Sequence, residues 1–385
     1  MELKKGYKQT DIGLIPDDWE VKKFTDCANL KHGFQFREEH FSKTGIKIIK
    51  IGNLKYSGEL DLEKITFVPS EQLSKFSNFL LHRGDILMAL TGATLGKTSI
   101  VNTSELLLQN YRVGNFYNKP NYSKNYIYYL LQSKFIQKTI NKLVNEAAQP
   151  NLGKGDFDKF IVPIPPTITE QNEIVTALID TDELINALQK LVEKKRNIKQ
   201  GVMQELFRSK KGNVLKKLED ILEIKKGQLI TEGTAINGDI PVIAGGKKPS
   251  YSHNKANRYN NTITISGSGA NAGYVSFHET PIFASDCSTI EEGVNYSIKF
   301  IFYNLQMLQD KIYKAQTGGA QPHIHPSDLY PIEISFPDLD VQNSISTILT
   351  DMDNEIISLE KKIAKTKLIK QGMMQNLLTG KIRLV

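Results

Sequence analysis

Lys199-Gln200-Gly201-Val202-Met203-Gln204-Glu205-Leu206 returns 171 residues later as Lys370-Gln371-Gly372-Met373-Met374-Gln375-Asn376-Leu377. Reading back from each copy, the same offset joins Asp180-x-Asp182 to Asp351-x-Asp353 and Gln171-Asn172 to Gln342-Asn343. An offset of 172 joins Pro165 to Pro337 and Gln149-Pro150 to Gln321-Pro322, so a single residue separates the two registers. Further upstream, Lys22-Lys23-Phe24-x-Asp26 running on to Gly33 matches Lys216-Lys217-Leu218-x-Asp220 running on to Gly227, at an offset of 194. Between these, Thr91-Gly92-Ala93-Thr94-Leu95-Gly96 is similar to Ser266-Gly267-Ser268-Gly269-Ala270-Asn271-Ala272-Gly273, with two residues inserted in the second copy. The fall in offset from 194 to 171 makes the first intervening block 23 residues longer than the second. Solenoid repeats have periods of about 20 to 50 residues. A unit this long is instead a duplicated domain pair.

The repeated segments carry helical periodicity. Steps of four and three from Ile174 pick out Ile174, Leu178, Thr181, Ile185, Leu188, Val192, Lys195, Lys199, Val202 and Leu206. The second copy gives Ile345, Leu349, Met352, Ile356, Leu359, Ile363, Thr366, Lys370, Met373 and Leu377. That spacing is a heptad seam. Lys195 and Thr366, and again Lys199 and Lys370, interrupt both seams at the same height, where polar side chains fix register. Pro165-Pro166 stops the preceding chain and Thr167-x-x-Glu170 offers a capping box; after Pro337 the cap is Asp338 or Asp340. Glu170, Glu173, Asp180, Asp182 and Glu183 crowd the early turns, and Lys190, Lys194, Lys195, Arg196 and Lys199 the later ones, as the helix dipole favours. A rod of about 38 residues is roughly 55 Å long. It cannot bury its stripe alone, so the two rods are expected to pair; two unrelated surface helices are the alternative.

The blocks between read as α/β or mostly β. Ile46–Ile51, Asp85–Leu90 and Thr262–Ile265 are short β-branched or apolar runs bounded by Gly, Asn or Pro. One helical stretch is expected in each block, Ser123–Leu143 and Ser297–Ala315. The glycine-rich turns then fall at strand ends, where backbone can approach a ligand.

The 385 residues suffice for two or three domains with their own cores. No run of 18 apolar residues occurs and the start, Met1-Glu2-Leu3-Lys4-Lys5-Gly6, lacks a signal-peptide stretch, so a cytoplasmic protein off the membrane is expected. Cys27 and Cys287 stand alone, one per copy, and are expected to be packed side chains rather than a disulfide or metal framework. The net charge of +7 is uneven: residues 1–146 contribute +6, residues 214–317 only +1, and the repeated segments nearly cancel. A basic excess in the variable blocks is compatible with phosphate contact without proving it.

Catalytic signals fail on inspection. Gly92-Ala93-Thr94-Leu95-Gly96-Lys97-Thr98 has its glycines one residue too close for a phosphate loop, and its partner carries Tyr274 in place of the lysine. The acids of Pro16-Asp17-Asp18-Trp19-Glu20-Val21-Lys22 sit too near each other to surround a metal from separate strands. His323-x-His325 has only Asp328 near it at ligand spacing, so no metal site is expected. There is no methyl-donor glycine loop, no Asn-Pro-Pro-Tyr or Asp-Pro-Pro-Tyr and no G-x-S-x-G elbow. Nothing is arranged to do chemistry, and no enzyme is expected.

Two differing domains, each joined to a like helix, resemble the specificity (S) subunits of type I restriction-modification systems. The resemblance spans essentially the whole chain. Its carriers are Gln149-Pro150 and Gln321-Pro322, the proline-rich lead at 163–166, the Gln-Asn pairs, the opening Tyr7-Lys8-Gln9-Thr10-Asp11-Ile12-Gly13-Leu14-Ile15-Pro16-Asp17-Asp18-Trp19, and the close from Ile369 to Leu384. It implies an α/β (α+β) fold: two globular target recognition domains alternating with two long helices that pair as an antiparallel coiled coil, with a pseudo-twofold internal repeat. The expected division is 1–146, first target recognition domain; 147–213, central helical region; 214–317, second recognition domain; 318–385, C-terminal helical region.

The resemblance further implies that each recognition domain reads one half of a split site in double-stranded DNA. The helices would set the spacer and dock two methyltransferase subunits, with restriction subunits joining through them. The chain itself would carry no cofactor, S-adenosylmethionine belonging to the methyltransferase partner. Base reading needs polar donors and acceptors near strand-end turns, with phosphate contacts setting register. The candidates are Lys31, His32, Gln35 and Arg37 at the first glycine turn, and Thr91, Thr94 and Lys97 at the second. In the other copy they are Lys225, Lys226, Gln228, Ser266, Ser268 and Asn271, with Lys247 and Lys248 beside Gly245-Gly246, and Gln149 and Gln321 are added from the repeated segments. A protein-binding scaffold with duplicated ligand domains is the competing reading, and salt-sensitive binding to duplex DNA distinguishes the two.

Overall fold

The computed structural model describes residues 5–55, 57–146, 151–208, 214–318 and 321–384. The chain divides into two compact units, Met1–Ala187 with Ile363–Val385, and Leu188–Lys362. Both long helices, Ile168–Leu206 and Leu339–Leu377, run for 39 residues and contribute to both units.

In unit one, Thr66–Val68, Ile46–Ile49, Leu107–Gln109 and Leu80–Leu81 form a sheet in that order, its two central strands parallel. A second sheet orders Ala28–His32, Val113–Asn118, Ile86–Ala89 and Thr98–Ile100, all antiparallel. Ile86-Leu87-Met88-Ala89 is buried at every position, which is why it reads as an unbroken apolar run rather than an alternating one. Glu20–Lys23 pairs with Ile161–Ile164, bringing the start of the block to the proline lead of the first long helix. The core sets Phe24, Phe116 and Phe157 against one another and extends to Ile174, Leu178 and Leu377 of the long helices.

Unit two repeats the plan. Tyr251–His253, Ile240–Ile243 and Phe283–Ala284 form one sheet, again with a parallel pair, and Lys225–Lys226, Cys287–Glu291, Thr262–Ser266 and Val275–His278 the other. Val214–Lys217 pairs with Glu333–Phe336 as Glu20–Lys23 does with Ile161–Ile164. The first block has in addition the strand Leu80–Leu81 and an aromatic core of Phe36 and Phe76 flanked by Phe34, Phe41 and Phe79, whereas among the described residues the matching sheet of the second block has three strands. The expected single helices are each two: Lys124–Gln132 and Lys134–Glu146 break at extended Ser133, whose N–H and hydroxyl both donate to the Leu130 carbonyl. Ile298–Met307 and Gln309–Lys314 break at Leu308.

Along the long helices in unit one, Ile174, Leu178, Ile185 and Leu377 are buried, and Ile363 and Met373 half-buried. In unit two, Leu188, Val192, Ile345, Leu349 and Ile356 are buried, and Val202, Leu206, Met352 and Leu359 half-buried. Met203, one position off the seam, is more buried than Val202 because it enters the second core. The polar seam positions have specific partners. In unit one Lys370 Nζ lies 2.6 Å from Asp182 Oδ1, and the Tyr129 hydroxyl donates to Asp182 Oδ2 at 2.9 Å. In unit two Lys199 Nζ lies 2.6 Å from Asp353 Oδ1, and the Tyr303 hydroxyl donates to Asp353 Oδ2 at 2.9 Å. Burial first, then the facing carboxylate, pushes both tyrosine hydroxyls well above their ordinary pKa. Lys195 pairs with Glu355 at 2.7 Å.

The capping box is only half made. Glu170 N–H donates to Thr167 Oγ1 at 3.2 Å, but the Glu170 carboxylate accepts from Arg383 and from Trp19 instead of reaching back to the cap. A buried carboxylate gains more from a two-point guanidinium contact than from one amide. The second helix starts right after Asp338, so Asp338 takes the cap position and Asp340 the first turn. Cys27 and Cys287 are both buried, and burial pushes their thiols up to about 11 and about 12.

Candidate nucleic-acid interface

Four separate segments meet in unit two. The strand Thr262–Ser266 runs through extended Ser268 into a turn at Gly269, whose φ of +80° suits glycine, and the turn closes at Gly273, φ +82°. Gly269 N–H donates to the Pro322 carbonyl at 3.0 Å and Ile324 N–H to the Gly267 carbonyl at 3.0 Å, so the Gln321-Pro322 segment is bonded to the turn. A Cβ on Gly245 would lie 2.7 Å from the Ser268 carbonyl, which places the loop carrying Lys247 and Lys248 against the same turn. Gly227 N–H donates to the Cys287 carbonyl at 2.8 Å, fixing Lys226 and Gln228 beside it.

Three of these segments, those of Gly227, Gly267 and His323, border a cleft of about 220 Å³ whose lining includes Lys226, Gly267, Asp286, His323 and His325. The Ser268 hydroxyl donates to the Asp286 carboxylate. The Ser266 hydroxyl is buried without a hydrogen-bond partner. Lys226, Gln228, Lys247, Lys248 and Gln321 are exposed, Asn271 is half-buried, and the Lys247 ammonium sits 5.2 Å from the centre of the Tyr274 ring. Lys225 is engaged elsewhere, 3.1 Å from Glu291.

Unit one builds the same frame. Thr91 bridges to Asn151 as Ser268 does to His323, and Leu152 N–H donates to the Leu90 carbonyl at 2.8 Å. Gly92 and Gly96 have φ of +73° and +80°. Phe34 N–H donates to the Gln109 carbonyl and Gln228 N–H to the Ala284 carbonyl, each at 2.9 Å. A cleft of about 340 Å³ beside this frame, sharing the Arg112/Asp286 position with that of unit two, is lined by Gln35, Phe41, Lys50, Tyr111 and Arg112 among others. Burial lowers the Lys50 pKa, and its ammonium donates to Thr66 Oγ1 at 2.8 Å. Thr94 Oγ1 is buried without a partner and Lys97 is half-buried. Lys31 reaches the Asn78 carbonyl at 2.5 Å, away from this cleft, whereas His32 and Arg37 are exposed. Gln149 lies outside the described residues.

Lys50, Tyr111, Arg112 and Asp286 line these clefts without having stood among the sequence candidates, and His323 was weighed there only as a metal ligand. Arg112 and Asp286 hold one position: Leu90 N–H donates to the Arg112 carbonyl at 2.9 Å, and Gly267 N–H to the Asp286 carbonyl at 3.1 Å. Both residues immediately precede the central strand of their sheet, Val113–Asn118 or Cys287–Glu291. Following the offset as it falls through the blocks would have aligned them.

A family model described as "Type I restriction modification DNA specificity domain" matches residues 16–200 and again 210–368. The chain belongs to that specificity family. Among its relatives, the putative type I restriction enzyme MjaX specificity subunit of Methanocaldococcus jannaschii is 27% identical over 99% of this chain and 97% of its own length. The MjaVIII specificity subunit of the same organism is 30% identical over 54% of this chain, which spans about half (49%) of that relative. The crystal structure of the type I S subunit from M. genitalium superposes with a TM-score of 0.64 at 16% identity, covering 98% of both chains. A structure described as "Structural basis underlying complex assembly and conformational transition of the type I R-M system" gives 0.61 at 14% identity, covering 96% of this chain and 99% of that one. These last two establish the fold. Specificity subunits are the non-catalytic components of type I restriction enzymes, and this specificity-family chain is of that kind. Among its described residues no group of three or more His, Cys, Asp or Glu could hold a metal ion, and no helix is long and apolar enough to cross a membrane.

Proposed function

We propose that this chain is the DNA-reading subunit of a type I restriction-modification complex, residues 1–146 and 214–317 each reading one half of a bipartite site. The observation that carries this is the duplicated frame: one set of backbone hydrogen bonds holds two clefts of different side chains. Two readers of different words require such a frame, whereas a duplicated site for one ligand would keep its side chains.

The long helices pair, in this reading, as an antiparallel coiled coil that sets the gap between half-sites. Supporting it, Asp182 meets Lys370 in unit one while Lys199 meets Asp353 and Lys195 meets Glu355 in unit two, so partner numbers fall as numbers rise. At 1.5 Å per residue, 39 residues reach about 58 Å, longer than the roughly 34 Å turn of duplex DNA. The unread gap is therefore several base pairs. Two methyltransferase subunits dock on the helices, and restriction subunits join through them. Leu191 and Ile198 in unit two, at heptad spacing, leave apolar surface exposed on the first helix for such a partner.

Replacing residues 214–317 by the same block of another specificity subunit, with the methyltransferase subunits present, is expected to change one half of the methylated sequence and leave the other. A change in both halves, or in neither, overturns one half-site per block. Binding of the complex to duplex DNA is also expected to weaken steeply between 50 and 200 mM salt, by about 10³-fold or more for six or more phosphate contacts. Salt-insensitive association with a protein ligand would instead favour the scaffold reading.

A further inference from the structure

Arg112 and Asp286 occupy one position in the duplicated frame with opposite charge, and each lines the cleft beside its domain's glycine turn. Arg112 is exposed, and its Nε donates to the Tyr111 hydroxyl at 2.6 Å, which holds the guanidinium by one edge. Among the described residues no carboxylate pairs with it, so both Nη groups remain available. Asp286 likewise pairs with no cation among the described residues. Its carboxylate accepts from Ser268, and a Cβ on Gly267 would lie 2.7 Å from Oδ1, so glycine there makes room for the group.

An unpaired carboxylate in a DNA-reading cleft is costly beside phosphates unless it meets a donor. In the major groove guanine presents O6 and N7, and thymine O4, all acceptors that repel it; adenine sets the N7 acceptor beside its amino group; cytosine presents N4–H₂. A guanidinium with both Nη groups free has the reverse preference, for O6 and N7 of guanine. Resting on the DNA-reading function proposed above, we infer that Arg112 and Asp286 are specificity-determining residues: Arg112 selects a guanine in the half-site of the first domain, and Asp286 a cytosine in the half-site of the second. Each also rejects what the other accepts, so the two domains cannot exchange half-sites.

The test uses the full chain assembled with its methyltransferase subunits, incubated with a randomised duplex library and read by sequencing the methylated molecules. Asp286→Asn is expected to lower discrimination for cytosine by about tenfold or more at one position of one half-site, the other half unchanged. Arg112→Gln is expected to relax one guanine in the other half. Where either variant fails to assemble, Gly267→Ala, which displaces the carboxylate, and Arg112→Lys, which removes the two-point contact, keep the charges and are expected to relax the same two positions. Unchanged base preferences, or a uniform loss at all sites as for a phosphate contact, overturn the inference while leaving DNA reading intact. A wild-type complex whose methylated molecules share no bipartite sequence would instead refute the function on which it rests.

Discussion

Asp182 takes a hydrogen bond from Tyr129 and an ion pair from Lys370, and Asp353 takes the same from Tyr303 and Lys199, so each β-rich block is tied to both long helices by one carboxylate. The two lysines keep only 17% and 12% of their side-chain surface exposed, which removes much of the screening that makes surface pairs weak. Lys370→Met and Lys199→Met are each expected to destabilise the chain by about 1–3 kcal/mol in denaturant unfolding. A double-mutant cycle of Lys370→Met with Asp182→Asn should show coupling above about 0.5 kcal/mol, and additivity would mean the pair contributes nothing. At Cys287, burial raises the thiol from an ordinary 9.0 to about 12. The sign is that of a neutral form favoured by folding: the stability it lends is complete below pH 9 and is lost as pH rises toward 12. Since the thiolate is the nucleophile, Cys287 should alkylate far more slowly in the folded chain than in urea at about pH 8. Equal rates would show that the site is open.

At the scale of elements, the repeat made most of the fold legible. Paired offsets announced two copies, heptad steps located both long helices, and runs such as Thr262–Ile265 located central strands. What stayed hidden depended on tertiary neighbours. Lys199 and Lys370 read as polar breaks in a seam, yet Tyr129 and Tyr303 lie too far along the chain for spacing to link them. Glu170 read as half of a capping box, but its carboxylate is claimed by Arg383, 213 residues away. Arg112 and Asp286 escaped because insertions shift the register between the copies. Gly33 and Gly227 were visible as turn residues, and the structure supplies their reason: an added Cβ would lie 2.2 Å from the Gln109 carbonyl or 2.0 Å from that of Ser285. Backbone cannot give way as a flexible side chain does. Gly33→Ala and Gly227→Ala are therefore expected to cost about 1–3 kcal/mol or more by thermal or denaturant unfolding. Gly201→Ala, where nothing lies within 4 Å of the new Cβ, is expected to be neutral or stabilising.

For the whole molecule, the proposed ruler makes a quantitative demand. Asp182 and Lys199 are 17 residues apart on the first helix, as are Asp353 and Lys370 on the second, so a matched deletion can fall between them without removing either carboxylate–lysine pair. Deleting 185–191 and 361–367 together takes one heptad from each rod and keeps the 4-3 seam in phase. The rods shorten by about 10 Å, the rise of roughly three base pairs. If the helices set the spacer, the assembled complex should stop methylating its parent site and select from a randomised-gap library sites whose gap is shorter by up to about three base pairs. Both half-sites should keep their letters, because neither recognition block has changed. An assembled complex that still prefers the parent gap would show that spacing is set elsewhere, and the long helices would then serve only as a dock.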